Sequence, residues 1–375
     1  MIPAATAPGG AGAPASGRSP GLATRAGKQA TRLLGVGILG CGSIGPLHAE
    51  ALAGVSGAKL VAVGDTWLEH ASALAARYGV AAVPSLDELL AVAGVDLVCV
   101  CTPSGTHGEL GAKIARAGRH VVLEKPIDVS LQAADEVISA SAAAGVVLSV
   151  ISQHRFDAGV VAVKEALARG HLGEVVLADA RAWWYRSQSY YDSGSWRGTT
   201  ALDGGALLNQ GVHLVDLLLY LLGPVSSVFA RAKTVAHKME CEDLALVSLE
   251  FESGVTCSLC VTTASYPGFP ETLAVTGSTA SVVLEAGSVV SWQSDEHSAY
   301  DLGPGPALHP AATAAAGSRN LALTAHRAQL QDVVDAVREA RAPAVTGEDG
   351  KRALQLVRAA YDSAASGREV RLASG

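Results

Sequence analysis

Two side chains far apart in the chain have types and settings suited to moving a proton. Lys125 sits in Glu124-Lys125-Pro126, directly after the apolar run His120-Val121-Val122-Leu123. A lysine where a buried strand runs out can hold a hydroxyl oxygen and stabilise negative charge on it. A solvated surface lysine is the ordinary alternative, and the end of a buried strand is a poor place for one. His213 lies four residues after Asn209 and three before Asp216, in an apolar stretch that stops at Gly223-Pro224. That spacing puts Asn209 and His213 on one helix face. An imidazole there serves either as a base near neutral pH or as a core histidine, and Asp216 either orients it or lies on the helix surface. Asn209 can hydrogen-bond but cannot take a proton.

A third group could hold an anion. Val36 to Glu50 reads VGILGCGSIGPLHAE, an apolar run, the turn Gly40-Cys41-Gly42-Ser43-Ile44-Gly45, then a helical pattern. Gly40 makes the turn, Gly42 keeps side chains off a pyrophosphate, and Gly45 brings helix and strand together, with Ser43 and Ile44 completing the loop. The helix N-terminus adds unpaired N–H groups and a positive dipole end. Asp65, twenty residues beyond Gly45, ends the next apolar run. Its carboxylate can accept ribose hydroxyls and would repel a 2′-phosphate, which favours NAD over NADP. It can also cap the following helix, and the two roles are compatible.

These residues must be carried by alternating elements. Strands are expected near 33–39, 59–65, 80–83, 95–101, 120–123 and 146–151, with helices between them. Near-continuous Val/Leu/Ile strands imply a parallel sheet covered on both faces. Ligands of such sheets lie at the carboxyl ends of the strands, where Gly40 to Gly45, Thr102-Pro103 with His107 beyond, and Glu124-Lys125 fall. Residues 33–152 therefore read as a doubly wound domain. Downstream come a helix over 158–169, a strand over 175–184, a polar aromatic loop over 185–198, a helix over 203–222, and strands near 228–234, 243–251, 255–263, 271–276 and 281–284. That is a mostly antiparallel sheet, one face of which a partner subunit could cover. Helices over 321–341 and 349–365 close the chain. The loop's Tyr191, Trp196 and Arg197 suit sugar stacking and anion recognition, or simply an ordinary surface loop.

Bulk properties exclude several classes. The 375 residues carry a formal charge of −7, so a nucleic-acid partner is not expected. No apolar run is long enough to cross a bilayer. Cys257 and Cys260 have metal-site spacing but no second pair, and in a strand they face opposite sides, so no metal is expected. The first 32 residues are rich in Ala, Gly, Pro and Ser and read as a disordered tail, with no secretory h-region. A cytoplasmic protein is expected.

Taken together, the glycine turn, Thr102-Pro103 with His107, Glu124-Lys125-Pro126 and Gln153-His154-Arg155-Phe156 resemble the glucose–fructose oxidoreductase and inositol dehydrogenase (Gfo/Idh/MocA) family. The resemblance runs from residue 33 onward. It implies a Rossmann domain over 33–152, a substrate-binding and oligomerisation α/β domain with a large open sheet over 153–317, and C-terminal helices over 318–375. It also implies a homodimer or homotetramer and hydride transfer between NAD(P) and a ring hydroxyl or ketone of a sugar, amino sugar or cyclitol. His213 matches the family's catalytic histidine, while Asn209 departs from its frequent aspartate. Asn209-Gln210 and the Trp196-Arg197-Gly198-Thr199 segment look like the nucleotide-sugar or amino-sugar branch. Cofactor contacts are then expected from Gly40, Gly42, Ser43, Ile44, Gly45, Asp65, Thr102, Pro103, His107, Glu124 and Lys125. Substrate contacts are expected from Arg155, Tyr191, Trp196 and Arg197. A ketosugar reductase working in the opposite direction and a non-catalytic dinucleotide-binding regulator are the alternatives; keeping both Lys125 and His213 argues against the regulator.

Overall fold

The computed structural model describes residues 32–294 and 317–373, without the side chains of 317–322. The tail expected over 1–32 and the loop expected over 303–317 thus lie, but for their last residues, outside the described residues.

Apolar segments build the first sheet, buried on both faces in its central strands and more exposed in the edge strand and the start of its neighbour. β1 (Leu34–Leu39), β2 (Ala58–Gly64), β3 (Ala81–Val83), β4 (Leu97–Val100), β5 (His120–Leu123) and β6 (Leu148–Val150) are parallel, in the order β3-β2-β1-β4-β5-β6. Between them run α1 (Gly45–Leu52), α2 (Leu68–Tyr78), α3 (Leu86–Ala91), α4 (His107–Arg116) and α5 (Leu131–Ala144). Local signals set their ends: Ser85 and Ser130 cap α3 and α5, and left-handed glycines at 79 and 145 stop α2 and α5. Strand order reverses between β1 and β4, which puts a ligand site at the carboxyl ends of those strands.

The second sheet has eight strands. β7 (Val175–Trp183), β8 (Val225–Lys233), β9 (Leu244–Phe251), β10 (Thr256–Thr262), β11 (Thr272–Gly277), β12 (Ala280–Glu285), β13 (Ser288–Ser294) and β14 (Val370–Arg371) lie in the order β13-β12-β11-β7-β10-β9-β8-β14. Only β7 and β10 pair in parallel. Sequence patterning did not reveal β13 or β14, because β13 is only partly buried and β14 is two residues long. One sheet face is covered by α8 (Val212–Leu222) and α10 (Gly347–Ser366), with Leu218, Leu354 and Val357 packed into the core that holds Val247, Leu249 and Phe251. The exposed side chains of Val176, Leu177, Phe229 and Leu246 remain uncovered.

α6 (Ala158–Ala168) precedes β7, and the short α7 (Gln188–Asp192) interrupts the expected aromatic loop. α9 (Gly317–Glu339) returns to the first sheet, where Leu330, Val333 and Val334 join the core of Val36, Ile38 and Leu52. Among the described residues no helix is long and apolar enough to cross a membrane.

The helix expected over 203–222 is shorter than its pattern. A wide π turn at Leu207–Gly211 precedes α8, and Asp203 stands outside both. Glu242 explains the late start: its carboxylate accepts the Leu207 N–H at 2.8 Å, while its carbonyl accepts the Ala206 N–H at 2.8 Å. A group from the loop before β9 therefore caps the turn.

Candidate active site

The glycine turn has the shape of an anion cradle. Gly40 has φ of +96°, and a Cβ there would lie 2.5 Å from the Cys101 carbonyl oxygen. A Cβ on Gly42 would meet nothing within 4 Å, so that face is open to a ligand. At Gly45 the nearest obstacle to a side chain is the Gly40 carbonyl, 2.2 Å from the Cβ position, and only then Ile38 of the strand. Gly45 thus closes the turn on itself before it packs the helix. Ile44 supplies the carbonyl that receives the Leu47 and His48 N–H groups, starting α1 over Ser43. Asp65 accepts the Cys41 N–H at 2.7 Å and the Trp67 N–H at 2.8 Å. Its carboxylate ties the turn to the end of β2, where a ribose would lie. The open Gly42 face, the α1 N-terminus and Asp65 together fit NAD.

The next two strand ends are locked together by His107. Its ring nitrogens stand 2.9 Å from the Thr102 carbonyl oxygen and 2.7 Å from that of Pro126. Being 1% exposed, His107 positions Thr102, Pro103 and Pro126 and presents no ring edge to a ligand. The Thr102 hydroxyl pairs with that of Thr106 at 2.7 Å. Glu124 also turns inward: its Oε1 lies 2.8 Å from His48 Nε2 and 3.7 Å from His326 Nε2, and its Oε2 accepts the Lys125 N–H at 3.1 Å. Burial opposes the Glu124 charge, but hydrogen bonds from His326 and His48 outweigh it and hold the carboxyl well below its ordinary value. Glu124 is therefore an anionic support under Lys125.

Lys125 Nζ donates to the Asn209 carbonyl oxygen at 2.7 Å, and Asn209 Oδ1 stands 3.5 Å away. The Asn209 amide in turn donates to Asp203, which also accepts the Gly198 N–H at 2.7 Å. The carboxylate missing at position 209 is thus supplied by Asp203, a residue that motif spacing had not singled out. Burial lowers the Lys125 pKa; Glu124 and Asp203 oppose that shift, and Arg186 adds to it.

His213 packs edge-on against His154, ring centroids 5.0 Å apart. Burial first, then the charges of Lys125 and His154, push the His213 pKa well below 6.5. A neutral imidazole results, free to accept a proton at neutral pH. His154 is the opposite case, its Nδ1 2.7 Å from Asp157 and its Nε2 3.8 Å from Glu271. Burial works against its charge, yet Glu271 and Asp157 raise it to about 9.

Three expectations about the substrate side need correction. Asp216 neither orients His213 nor lies on the surface, because it is buried and held by Arg155 through Nε at 2.8 Å and Nη2 at 2.6 Å. Arg155 is consumed by that pair and by Asp349 at 3.4 Å, so its guanidinium faces the interior and not a substrate. Tyr191 is buried too, with its hydroxyl 2.7 Å from Thr263 Oγ1 and its ring 4.8 Å from His237. On the half-exposed side of α7 the ring available is that of Tyr190, 4.3 Å under the Arg197 guanidinium, which also lies 4.3 Å over Trp196. Tyr190, Trp196 and Arg197 thus form one stacked group on that side, which Tyr191 does not join.

Comparison with known proteins agrees with this geometry. Residues 34–152 match the oxidoreductase family with an NAD-binding Rossmann fold, and residues 160–283 match the GFO/IDH/MocA C-terminal domain. Inositol 2-dehydrogenase of Rhizobium meliloti (strain 1021) is 30% identical over 347 residues, covering 90% of this chain and 98% of that protein. The chain belongs to the GFO/IDH/MocA family. Among solved structures, the WlbA dehydrogenase from Bordetella pertussis, in complex with NADH and UDP-GlcNAcA, is 32% identical with a TM-score of 0.81, covering 92% of this chain and 100% of that one. GenD2 from gentamicin A biosynthesis, in complex with NAD, is 28% identical with a TM-score of 0.78, covering 94% and 100%.

This GFO/IDH/MocA oxidoreductase binds NAD. Around Lys125 and Glu124 stand residues that motif spacing did not single out: Asp203, Arg186, and the pair His48 and His326 that grips Glu124. The donor atoms of His48, Glu124 and His326 lie within 4.8 Å of one another. His326 comes from α9, 202 residues beyond Glu124, and no local signal announces such a contact.

Proposed function

We propose that His213 removes the proton of a ring hydroxyl while Lys125 holds the oxygen, so that a CH–OH group of a substrate is oxidised to a ketone. The family makes the enzyme an NAD-dependent dehydrogenase of sugars or cyclitols. Bound NAD supplies the hydride acceptor. The observation that carries the assignment is the fixed Lys125 Nζ, held by Asn209 at the carboxyl end of β5 and flanked by the neutral His213. A cation at that point stabilises the developing alkoxide, and a neutral imidazole is the base it requires. Asp203, through Asn209, keeps the lysine charged and in place.

A nucleotide-linked or amino sugar is the substrate class we favour. Asn209-Gln210, the Trp196-Arg197 segment and the likeness to a dehydrogenase solved with UDP-GlcNAcA support that reading. The reverse reaction, ketosugar reduction, uses the same groups. We further propose that the exposed face with Val176, Phe229 and Leu246 pairs with a second copy in a homodimer or homotetramer. A cytoplasmic setting, where thiols stay reduced, agrees with six free cysteines.

Purified enzyme with NAD and a panel of nucleotide sugars, free sugars and cyclitols tests the proposal through NADH formation. Nucleotide sugars should give the highest kcat/KM. Turnover confined to free cyclitols would refute the preference, and no turnover across the panel would refute the reaction. Light scattering should return twice or four times the monomer mass, and a monomer would remove the subunit proposal.

A further inference from the structure

We propose that Glu242 is a positioning residue for the reaction: it sets the start of the Leu207–Gly211 turn, and with it the place where the Asn209 carbonyl holds Lys125. The inference rests on Lys125 marking the reaction centre and adds what keeps that lysine in register.

Glu242 grips three successive residues ahead of the turn. Its Oε1 accepts the Leu207 N–H at 2.8 Å, its own carbonyl accepts the Ala206 N–H at 2.8 Å, and its Oε2 lies against Gly205, 1.9 Å from where a Cβ would stand. A side chain at 205 would displace the carboxylate. The Gly205 carbonyl then accepts the Asn209 N–H at 2.9 Å, so the grip reaches the residue that meets Lys125. The Asn209 carbonyl receives Lys125 Nζ at 2.7 Å. Wide π turns depart from the regular helical hydrogen-bond ladder and recur at functional sites.

Glu242 is itself held from two sides. The N–H groups of Glu240 and Cys241 donate to the Gly198 carbonyl at 3.2 and 3.1 Å, and the Tyr361 hydroxyl of α10 donates to Glu242 Oε1 at 3.0 Å. A carboxylate only 8% exposed is a costly cap, since a neutral serine or asparagine side chain could accept the same N–H. Burial pushes Glu242 up to about 7, against the bonds from Leu207 and Tyr361 that favour its charge. The other titratable groups around this loop are accounted for. Asp243 also disfavours the charge and is itself held by three N–H groups and the His237 ring. The Cys241 thiol is pushed up to about 12, Asp203 is tied to Gly198 and Asn209, Glu240 accepts from Thr200, and Arg358 of α10 is exposed. Ionisation of Glu242 strengthens its bonds to Leu207 and Tyr361, because a charged acceptor binds a donor about twice as strongly as a neutral one. The turn is firmest, and Lys125 best held, above pH 7.

Competitive labelling of amines with acetic anhydride, read at Lys125 by peptide mass spectrometry on the full-length enzyme, tests this without a substrate. Relative to a free-amine standard, Lys125 reactivity should fall about tenfold as pH rises through about 7. Glu242→Gln keeps the shape and loses the charge, so Lys125 should stay at the higher reactivity with no such fall. Tyr361→Phe removes a donor to the carboxylate and should move the fall to higher pH. With NAD and the fastest-reacting sugar of the panel at pH 8, Glu242→Gln should lower kcat about tenfold and leave KM and NADH affinity within about twofold. No fall in the wild type, a fall that survives Glu242→Gln, or a fall that Tyr361→Phe does not move would each overturn the proposal. A lower unfolding midpoint in Glu242→Gln with wild-type Lys125 labelling and kcat would reduce Glu242 to a cap and overturn it too. If Glu242→Gln does not fold, the direction of the Tyr361→Phe shift decides. The two readings fail separately: near-normal turnover in Lys125→Ala sinks the reaction centre and leaves the labelling result standing, whereas wild-type labelling in Glu242→Gln beside an inactive Lys125→Ala sinks only the role of Glu242.

Discussion

Around the glycine turn the contacts are short in sequence. Asp65 reaches Cys41 across 24 residues, through neighbouring strands of one sheet. Around Lys125 they are long: Nζ meets Asn209 across 84 residues, and Arg155 meets Asp349 across 194. The first region is built from backbone N–H groups and missing side chains, which a motif can encode. The second is built from charges that three or four separate elements must bring together. Its burial of those charges is tolerable because they are partnered: Arg155 has Asp216 and Asp349, and Glu124 has His48 and His326.

That contrast can be tested, beginning with its most costly element. Arg155→Ala leaves Asp216 buried without its cation and should lower stability by about 3–5 kcal/mol in denaturant unfolding. A wild-type midpoint combined with weakened substrate binding would return Arg155 to the substrate side. Lys125→Ala and His213→Ala should each keep NADH binding while turnover falls at least about a hundredfold. Near-normal turnover in either variant removes that residue from the reaction. On the nucleotide side, Asp65→Ala should cut the NAD-over-NADP preference in kcat/KM by about tenfold, the worth of one charge-assisted hydrogen bond. An initial preference for NADP would contradict the role given to Asp65.

The smallest effect concerns His154. Its pKa is raised from 6.5 to about 9, so the folded chain holds an extra proton between those values. Its contribution to stability is complete below pH 6.5 and is lost as pH rises through 9. His154→Gln should remove that decline. The same variant takes a positive charge away from His213, so the acid limb of kcat/KM, expected below pH 6.5 in the wild type, should move upward. Unchanged unfolding and activity profiles would show that His154 acts by packing alone.

Legibility in the sequence followed the same division. The glycine turn, Asp65, Lys125 and His213 stand out because a strand end or an apolar helix constrains what a polar residue there can be doing. Tyr191 and Tyr190 could not be told apart, since adjacent residues of a short helix have equal composition and opposite exposure. Asp203 escaped notice because its link to Lys125 runs through Asn209 and a wide turn whose start Glu242 sets from β9's approach.

What the sequence determined by itself was the alternation of strand and helix and the nucleotide turn, and it singled out Lys125 and His213 as the pair proposed to handle the proton, because these depend on period and on neighbours along the chain. The tertiary structure alone decided which charges meet a partner. Arg155 and Arg186 are the same residue type, but among the described residues one meets two carboxylates and the other meets none. Electrostatic energy depends on distance in space, and over separations of sixty residues or more only the packed fold fixes that distance.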